Sequence, residues 1–360
     1  LGSGASVFNA GTLTFNSAGS VTVSEASSLD LVGINTASTA DLDSTAGVSD
    51  ATADSVNVSG LLDVSGTSIA LGSGTSVFNT GTLTFNSAGS VTVSEVSSLD
   101  LVGVNTANSA DLDSTAGVSD TGATGLNVTG LLDVSGTSIA LGSGASVFNA
   151  GTLTFNSTGS VTVSEASSLD LVGINTASTA DLDSTAGVSD AGADSVNVTG
   201  LLDVSGTSIA LGSGTSVFNT GTLTFNSAGS VTVSEDSSLD LFGINTAGSA
   251  DLDSTAGVSD AGAASVDVSG LLDVSGTSIA LGSGTSVFNA GALTFNSAGS
   301  VNIDESSSML VSGSSTAGSG LDLVSTDDVT LDASVTVVGD TSILAGTTVG
   351  GITVNAKLNG

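Results

Sequence analysis

Apolar and small polar residues alternate with a period of two along most of this chain, as in Thr12–Phe15, Val21–Val23 and Leu62–Val64. This period places successive side chains on opposite faces of a β-strand, and no segment shows the 3.6-residue apolar stripe of a helix. Gly, Ser, Asn and Asp separate the alternating segments, and these residue types favour turns. The pattern therefore predicts an all-β protein built from short strands.

The strand pattern recurs every 70 residues without insertion or deletion. Near-copies begin near residues 1, 71, 141, 211 and 281, and the fifth copy diverges after residue 300. Such an array is typical of a solenoid, in which each repeat packs only on its neighbours. We predict tandem β-solenoid repeats over residues 1–300, and further solenoid coils of another repeat type over residues 301–360.

Each copy holds about nine strand candidates of three to five residues, which are too short for a sandwich of hairpins. They fit a parallel β-solenoid with about three coils per copy, and four shorter coils are the alternative. In the three-coil interpretation, Gly33–Ala37 forms a loop. About 15 coils at a spacing of ~4.8 Å would make a rod roughly 70 Å long. The predicted interior consists of Leu13, Phe15, Val21, Val23, Leu29, Leu31, Leu42, Val56, Val58, Leu62, Val64, Ile69 and Leu71.

The composition excludes several classes of function. The chain has 35 acidic residues against one basic residue, Lys357, and it lacks His and Cys. It therefore has no thiol or imidazole chemistry, and no basic cluster to bind nucleic acid. Apolar residues make up 39% of the chain and are evenly spread, which argues against disorder. No apolar run approaches the ~18 residues of a membrane helix, so we expect no membrane insertion.

Acidic residues recur in register in every complete copy. We expect them on the solvated surface, because charged side chains are rarely buried without a partner. A pair of acids could serve glycoside chemistry, but the chain lacks the basic or His residues that usually accompany them, and an active site does not usually recur four times. We therefore predict that the protein is not an enzyme. In the first copy the recurring acids are Glu25, Asp30, Asp41, Asp43, Asp50 and Asp63.

Calcium is the cofactor that these acids suggest. Like charges on neighbouring coils lie about 5 Å apart, each pair costs on the order of 1 kcal/mol in water, and no basic residue offsets them. Hard divalent cations prefer carboxylate oxygens. Diffuse screening by counter-ions is the alternative. The candidate calcium ligands are Asp41, Asp43, Asp50, Asp111, Asp113, Asp120, Asp181, Asp183, Asp190, Asp251, Asp253 and Asp260.

Asparagine and phenylalanine also recur. Asn9, Asn16 and Asn35 mostly follow strand ends, where Asn forms turns or stacked amide ladders; glycan recognition is the alternative. We assign Phe15 to the core. Phe8 has two interpretations, a core or corner position and an exposed contact for carbohydrate or protein.

The segments GTLTFNSAGSVTVSE, which begins at Gly11, and SVNVSGLLDVSGTSIALGSG, which begins at Ser55, give the chain a family resemblance. The repeat style resembles the right-handed parallel β-helices of filamentous-haemagglutinin-like adhesins, autotransporter passengers and giant beta-strand-repeat proteins of bacterial surfaces. The resemblance implies a right-handed β-helix and covers essentially the whole chain. It is specific for architecture, because these proteins share a repeat style rather than a site.

The function that follows from the resemblance is structural. We expect a rigid acidic shaft segment of a secreted bacterial surface fibre or adhesin, located outside the cell. The chain begins at Leu1, within the repeat pattern, and we interpret it as a piece of a longer secreted chain. Its partners would be neighbouring solenoid segments, and glycans or cell-surface proteins are further candidates. The alternatives are a β-helix module that binds glycan or protein, with Gly33–Ala40 as contact loops, and a polysaccharide-degrading β-helix enzyme.

Overall fold

A computed structural model describes residues 1–2, 6–346 and 350–360. In these ranges the chain forms β-strands and turns and no helix, so none of it is a helix able to cross a membrane. The chain divides into two compact units, Leu1–Ser178 and Thr179–Gly360. Each unit is a β-solenoid in which strands pair in parallel with strands of the coils before and after. This confirms the predicted all-β parallel solenoid.

The strands of the first unit, as far as it is described, are β1 (Thr12–Leu13), β2 (Ser20–Glu25), β3 (Leu29–Ala37), β4 (Thr39–Ser44), β5 (Gly47–Gly66), β6 (Ser68–Leu71), β7 (Val77–Ser87), β8 (Ser90–Glu95), β9 (Leu99–Ala107), β10 (Ser109–Ser114), β11 (Gly117–Gly136), β12 (Ser138–Leu141), β13 (Val147–Ser157), β14 (Ser160–Glu165) and β15 (Leu169–Ala177).

The second unit has, within its described ranges, β16 (Thr179–Ser184), β17 (Gly187–Gly206), β18 (Ser208–Leu211), β19 (Val217–Ser227), β20 (Ser230–Glu235), β21 (Leu239–Ala247), β22 (Ser249–Ser254), β23 (Gly257–Gly276), β24 (Ser278–Leu281), β25 (Val287–Ser297), β26 (Ser300–Glu305), β27 (Met309–Val311), β28 (Ser315–Ala317), β29 (Gly320–Ser325), β30 (Val329–Leu331), β31 (Val335–Val337), β32 (Asp340–Leu344), β33 (Ile352–Val354) and β34 (Leu358–Asn359).

One coil has four sides. In the coil that begins at Leu29, the chain passes through Leu29–Leu31 (side 1), Asn35–Ala37 (side 2), Ala40–Leu42 (side 3) and Ser44 (side 4). The side 1 column of register partners runs through Leu29, Val48, Ile69, Val91, Ala110, Leu132, Leu153 and Leu171. Seven register steps cover this span, so a coil takes about 20 residues and a copy makes about three and a half coils.

The extra half coil turns successive copies relative to one another in the first unit. The side 3 column runs through Val21, Ala40, Leu62, Leu83 and Leu101. Leu101 is the second-copy equivalent of Leu31, which lies on side 1, so the two copies differ by half a coil. The number of coils per copy is therefore about three and a half, between the expected three and the alternative of four. The expectation of three assumed three sides per coil, whereas a coil has four.

The second unit keeps the same stacking. A column of register partners runs through Val188, Ile209, Val231, Ala250, Leu272 and Leu293. It continues beyond residue 300 through Val311, Leu331 and Val354. The residues after Ser300 therefore extend the columns of the repeats, with the shorter strands β27 to β34.

The core consists of inward-facing apolar columns. Most of the predicted interior is at most 1% exposed, including Leu29, Leu42, Val56 and Leu71, and Phe15 is 8% exposed. Leu13 and Val21 are half-buried in the first coils, but their later equivalents Leu83 and Val91 are buried. Each fully buried Val or Leu contributes about 1.5–3 kcal/mol, so the stacked columns are the main stabilising feature of the coil.

The segment Gly33–Ala37 is part of strand β3 and not the predicted loop. Two register shifts let Leu29–Ala37 of β3 pair with the longer span Val48–Val58 of β5, and Gly33 has a left-handed φ of 62° at the second shift. The side chain of Asn35 is fully buried, and its Oδ1 accepts a hydrogen bond from Phe15 N at 3.0 Å. Its Nδ2 donates to Val32 O at 3.1 Å. The buried amide of Asn35 therefore bonds a backbone N–H of the preceding coil and a backbone carbonyl of its own strand, where the register of β3 is irregular.

Candidate functional site

The outward acids form a small cluster on two neighbouring coils. Asp41 and Asp43 flank the buried Leu42 on β4, and Asp41 is the register partner of Asp63 on β5. Ser65 Oγ donates a hydrogen bond to Asp43. Burial, followed by the charge of Asp43, raises the pKa of Asp41, and burial with both neighbouring charges raises the pKa of Asp63. The cluster therefore carries like-charge repulsion.

The same cluster recurs in the other complete copies. Its members are Asp111, Asp113 and Asp133 in the second copy, Asp181, Asp183 and Asp203 in the third, and Asp251, Asp253 and Asp273 in the fourth. We predicted the first two members of each set as calcium ligands and did not include the third among them. Register explains the omission, because Asp63 and its equivalents approach the others only across the ladder between coils.

Asp50 lies apart from these outward acids. It is fully buried in β5, and its carboxylate accepts hydrogen bonds from Gly72 N at 2.9 Å, Ser73 N at 3.3 Å and Ser76 Oγ at 2.8 Å. Burial raises the pKa of Asp50, and these hydrogen bonds oppose the rise. Asp50 therefore braces the turn that follows β6. Asp120, Asp190 and Asp260 hold the equivalent turns.

The predicted calcium ligands therefore fall into two separate groups, one outward and one buried. Across the ranges that the structure describes, no group of three or more acids, His or Cys is placed to hold a metal ion. Calcium binding stays a prediction. It depends on the outward clusters, since the carboxylates of the Asp50 series are occupied by the turns they brace.

A second set of buried acids was not expected. Glu25, Glu95, Glu165, Glu235 and Glu305 are each at most 1% exposed, whereas we expected the acids that recur in the complete copies on the surface. That expectation is wrong for this set and for the Asp50 series. The signal was present in the sequence, because Val21, Val23 and Glu25 occupy alternating positions and so face the same way. We did not assign Glu25 to the interior because its side chain is charged.

The recurring Asn and Phe residues have structural contacts. Thr36 Oγ1 donates to Asn16 Oδ1 at 2.8 Å, and Ser27 Oγ lies 3.0 Å from Asn9 Oδ1, both between neighbouring coils. Phe8 is half-buried in the first coil, and its equivalents Phe78, Phe148, Phe218 and Phe288 are fully buried. The core interpretation is confirmed for Phe15 and for the equivalents of Phe8 in the later copies.

Most sequence differences among the four complete copies fall in two segments, 32–39 and 51–59 of the first copy and their equivalents. These segments are register partners on adjacent coils, so the differences share one surface. In the second copy this surface includes a shallow groove of about 230 Å³ lined by hydroxyl, amide and methyl groups of Ser87, Ala88, Thr106, Ala107, Asn108, Asn127 and Thr129. The groove lining carries no charge, unlike the outward Asp clusters.

Comparison with known proteins found no matching family model, no matching curated protein and no matching solved structure. Evidence for function therefore comes from the geometry of the chain.

Proposed function

We propose that this chain is a structural segment of a secreted bacterial surface fibre or adhesin. The proposal rests on one observation: the side chains that recur in every complete copy make contacts that hold the coil together. The buried Asp50 series braces turns, the Asn35 series bridges a strand bulge, and the apolar columns run through every complete copy. These groups maintain the coil rather than converge on a substrate.

The outward Asp clusters suit a solvated exterior. Each complete copy carries one cluster, so charge is distributed regularly along each unit, and a high net charge keeps chains soluble and apart. Neighbouring segments of the same longer chain would then be the main partners, through the parallel ladders. We do not assign a reaction, a membrane span or a nucleic-acid partner to this role.

Two measurements test the proposal. Antibodies raised against the chain should label intact cells of the source organism without permeabilisation, since the proposed location is outside the cell. Pulling on the two ends of a single molecule should give a series of unfolding steps, because each coil is stabilised mainly by its neighbours. Label confined to permeabilised cells would refute the surface location, and one unfolding step at low force would refute the structural role.

A glycan array probed with the purified chain separates the structural role from a binding module. We expect no specific signal above that of a chain lacking the second copy. A signal that disappears when Asn108 is changed to Ser, the residue at the equivalent Ser38 and Ser178, would instead favour binding at the groove of the second copy.

A further inference from the structure

Every glutamate of this chain occupies the same interior position of its copy. Glu25, Glu95, Glu165, Glu235 and Glu305 are the only glutamates, and each is at most 1% exposed. Glu95 lies in the ladder between Phe78 on β7 and Ser114 on β10. Its carboxyl group is therefore enclosed by the coil before and the coil after, away from water.

The hydrogen bonds around this carboxyl group are incomplete for an ionised acid. Glu95 Oε1 lies 2.9 Å from Thr80 N, which donates to it, and 2.9 Å from Ser97 Oγ. Glu95 Oε2 has no hydrogen-bond partner, and the same holds for Oε2 of Glu235 and Glu305. A buried carboxylate oxygen without a donor costs several kcal/mol, so an ionised group is poorly accommodated here.

The serine beside the carboxyl group gives a second indication. Ser97 Oγ also lies 2.9 Å from Asn79 Oδ1, so one hydroxyl hydrogen faces two acceptors. A proton on Glu95 Oε1 resolves the conflict. Glu95 then donates to Ser97 Oγ, Ser97 donates to Asn79 Oδ1, and Thr80 N still donates to a remaining lone pair of Glu95. The same arrangement recurs around Ser27, which lies 3.0 Å from both Asn9 Oδ1 and Glu25 Oε1.

Within the part of the chain that the structure describes, no opposite charge lies beside these glutamates to compensate an ionised carboxylate. The neighbouring residues Phe78, Asn79 and Thr80 of β7 carry no charge, and β10 contributes the neutral Ser114, with Asp113 beside it on the outward face. The charged groups that act on the row are acids, namely Asp100 on Glu95, Asp170 on Glu165, and Asp236 and Asp240 on Glu235. The single basic side chain of the protein belongs to Lys357.

We propose that this glutamate row is a proton-dependent latch, in which the solenoid folds with Glu95, Glu165, Glu235 and Glu305 as neutral carboxylic acids and loosens when they ionise. The latch is independent of the structural role proposed above. Loosening should begin at the turn after β8 and its equivalents, because an ionised carboxylate must leave the interior to reach water.

The direction of the pH dependence follows from linkage. Burial raises the pKa of these four glutamates in the folded chain to about 7, from an ordinary value of 4.5. Between these two values the folded state binds more protons than the unfolded state, so stability falls as pH rises. The contribution is fully present below the unfolded pKa and is lost as pH rises through the folded pKa. The chain should therefore be more stable in mild acid than above neutrality.

A direct test uses the intact chain labelled with ¹³C at the glutamate carboxyl carbon. Because the five glutamates are the only ones, the carboxyl spectrum reports on this row alone. We expect four resonances to titrate with midpoints of about 7 while the chain remains folded. Midpoints near the ordinary value of 4.5 for all of the glutamate resonances would overturn the proposal. The measurement uses the unmodified chain, so it does not depend on whether a variant folds.

A paired comparison tests the effect on stability. We change Glu95, Glu165, Glu235 and Glu305 to Gln, which keeps the side-chain shape without an ionisable group. A control variant changes the outward Asp43, Asp113, Asp183 and Asp253 to Asn, which removes the same number of acids. From about pH 5 to about pH 8, the urea midpoint should fall for the parent and the control, and stay nearly constant for the Gln variant. A Gln variant with the parental pH dependence would refute the latch.

Discussion

Removal of one buried aspartate tests whether the Asp50 series braces the turns. Asp120 is fully buried in the first unit, and its carboxylate accepts hydrogen bonds from Gly142 N at 2.9 Å, Ser143 N at 3.4 Å and Ser146 Oγ at 2.8 Å. Asp120→Ala leaves these three donors without their acceptor. The site lies inside a ladder, so the donors have no easy access to water.

The expected loss follows from the two short bonds. A hydrogen bond to a charged group contributes about 1.5–3 kcal/mol net, and an unsatisfied buried donor costs about 1–3 kcal/mol. Counting the long Ser143 contact as negligible and allowing the turn to relax, we expect about 3–4 kcal/mol of local destabilisation. Every 1.4 kcal/mol is tenfold in an equilibrium constant, so local opening should become more than a hundredfold more frequent.

Native-state hydrogen exchange is the suitable assay, because an array of coils need not unfold in one step. The amide of Gly142 should exchange more than a hundredfold faster in Asp120→Ala, while amides of β3 and β4 keep their rates. In Asp120→Asn, which keeps one acceptor oxygen, the exchange rate of the Gly142 amide should lie between those of the parent chain and of Asp120→Ala. Asp113→Ala is the matched control, since this outward acid accepts a hydrogen bond from the Ser135 hydroxyl and none from the turn at Gly142 among the described residues. Unchanged exchange at Gly142 in Asp120→Ala would refute the bracing role.

Three further predictions address other parts of the coil. Gly142→Ala should destabilise the turn by about 3 kcal/mol or more on urea unfolding, because Gly142 has a φ of 69° and an added Cβ would lie 2.0 Å from Ser164 O. Gly144→Ala is the control. Gly144 has a φ of 70° but an added Cβ would meet no atom closer than 3.6 Å, so this change should cost only about 1 kcal/mol. Asn105→Ala should cost about 2–3 kcal/mol by the same assay, since it removes the acceptor of Phe85 N at 2.9 Å, and a loss below about 0.5 kcal/mol would contradict the role of the buried amide. Calcium should raise the melting temperature above that in sodium at matched ionic strength if the outward clusters bind it, and equal curves would leave only diffuse screening.

The sequence alone determined the class of the fold and most of its core. A period of two within strands and a period of 70 between copies cannot be met by helices or by an ordinary sandwich, so a solenoid was the consistent solution. The inward positions of Leu29, Leu42, Val56 and Ile69 follow from alternation within each strand. The strand period and the inward side of each strand depend on neighbouring residues in the sequence, and they depend little on where each coil turns its corners.

The number of coils per copy was decided by the tertiary structure. It depends on where each coil turns its corners, and Ser, Gly and Asp mark corners and outward strand positions alike. Gly33–Ala37 illustrates the problem, because its composition favours a loop while Asn35 supplies the buried hydrogen bonds that keep the segment in strand β3. Only pairing with the preceding coil, where Phe15 N donates to Asn35 Oδ1, reveals that contribution.

The chemistry of the acids likewise depended on the structure. Asp43 and Asp50 look alike in the sequence, yet one lies on the surface and the other holds a turn of the following coil. Glu25 continues the inward alternation of Val21 and Val23, but the cost of burying a charge argued for the surface. Whether that cost is met depends on donors about 15 to 26 residues away along the chain, such as Ala10 N for Glu25 and Ser76 Oγ for Asp50. Coil stacking brings these donors to the carboxyl groups, and a one-dimensional pattern does not contain that proximity.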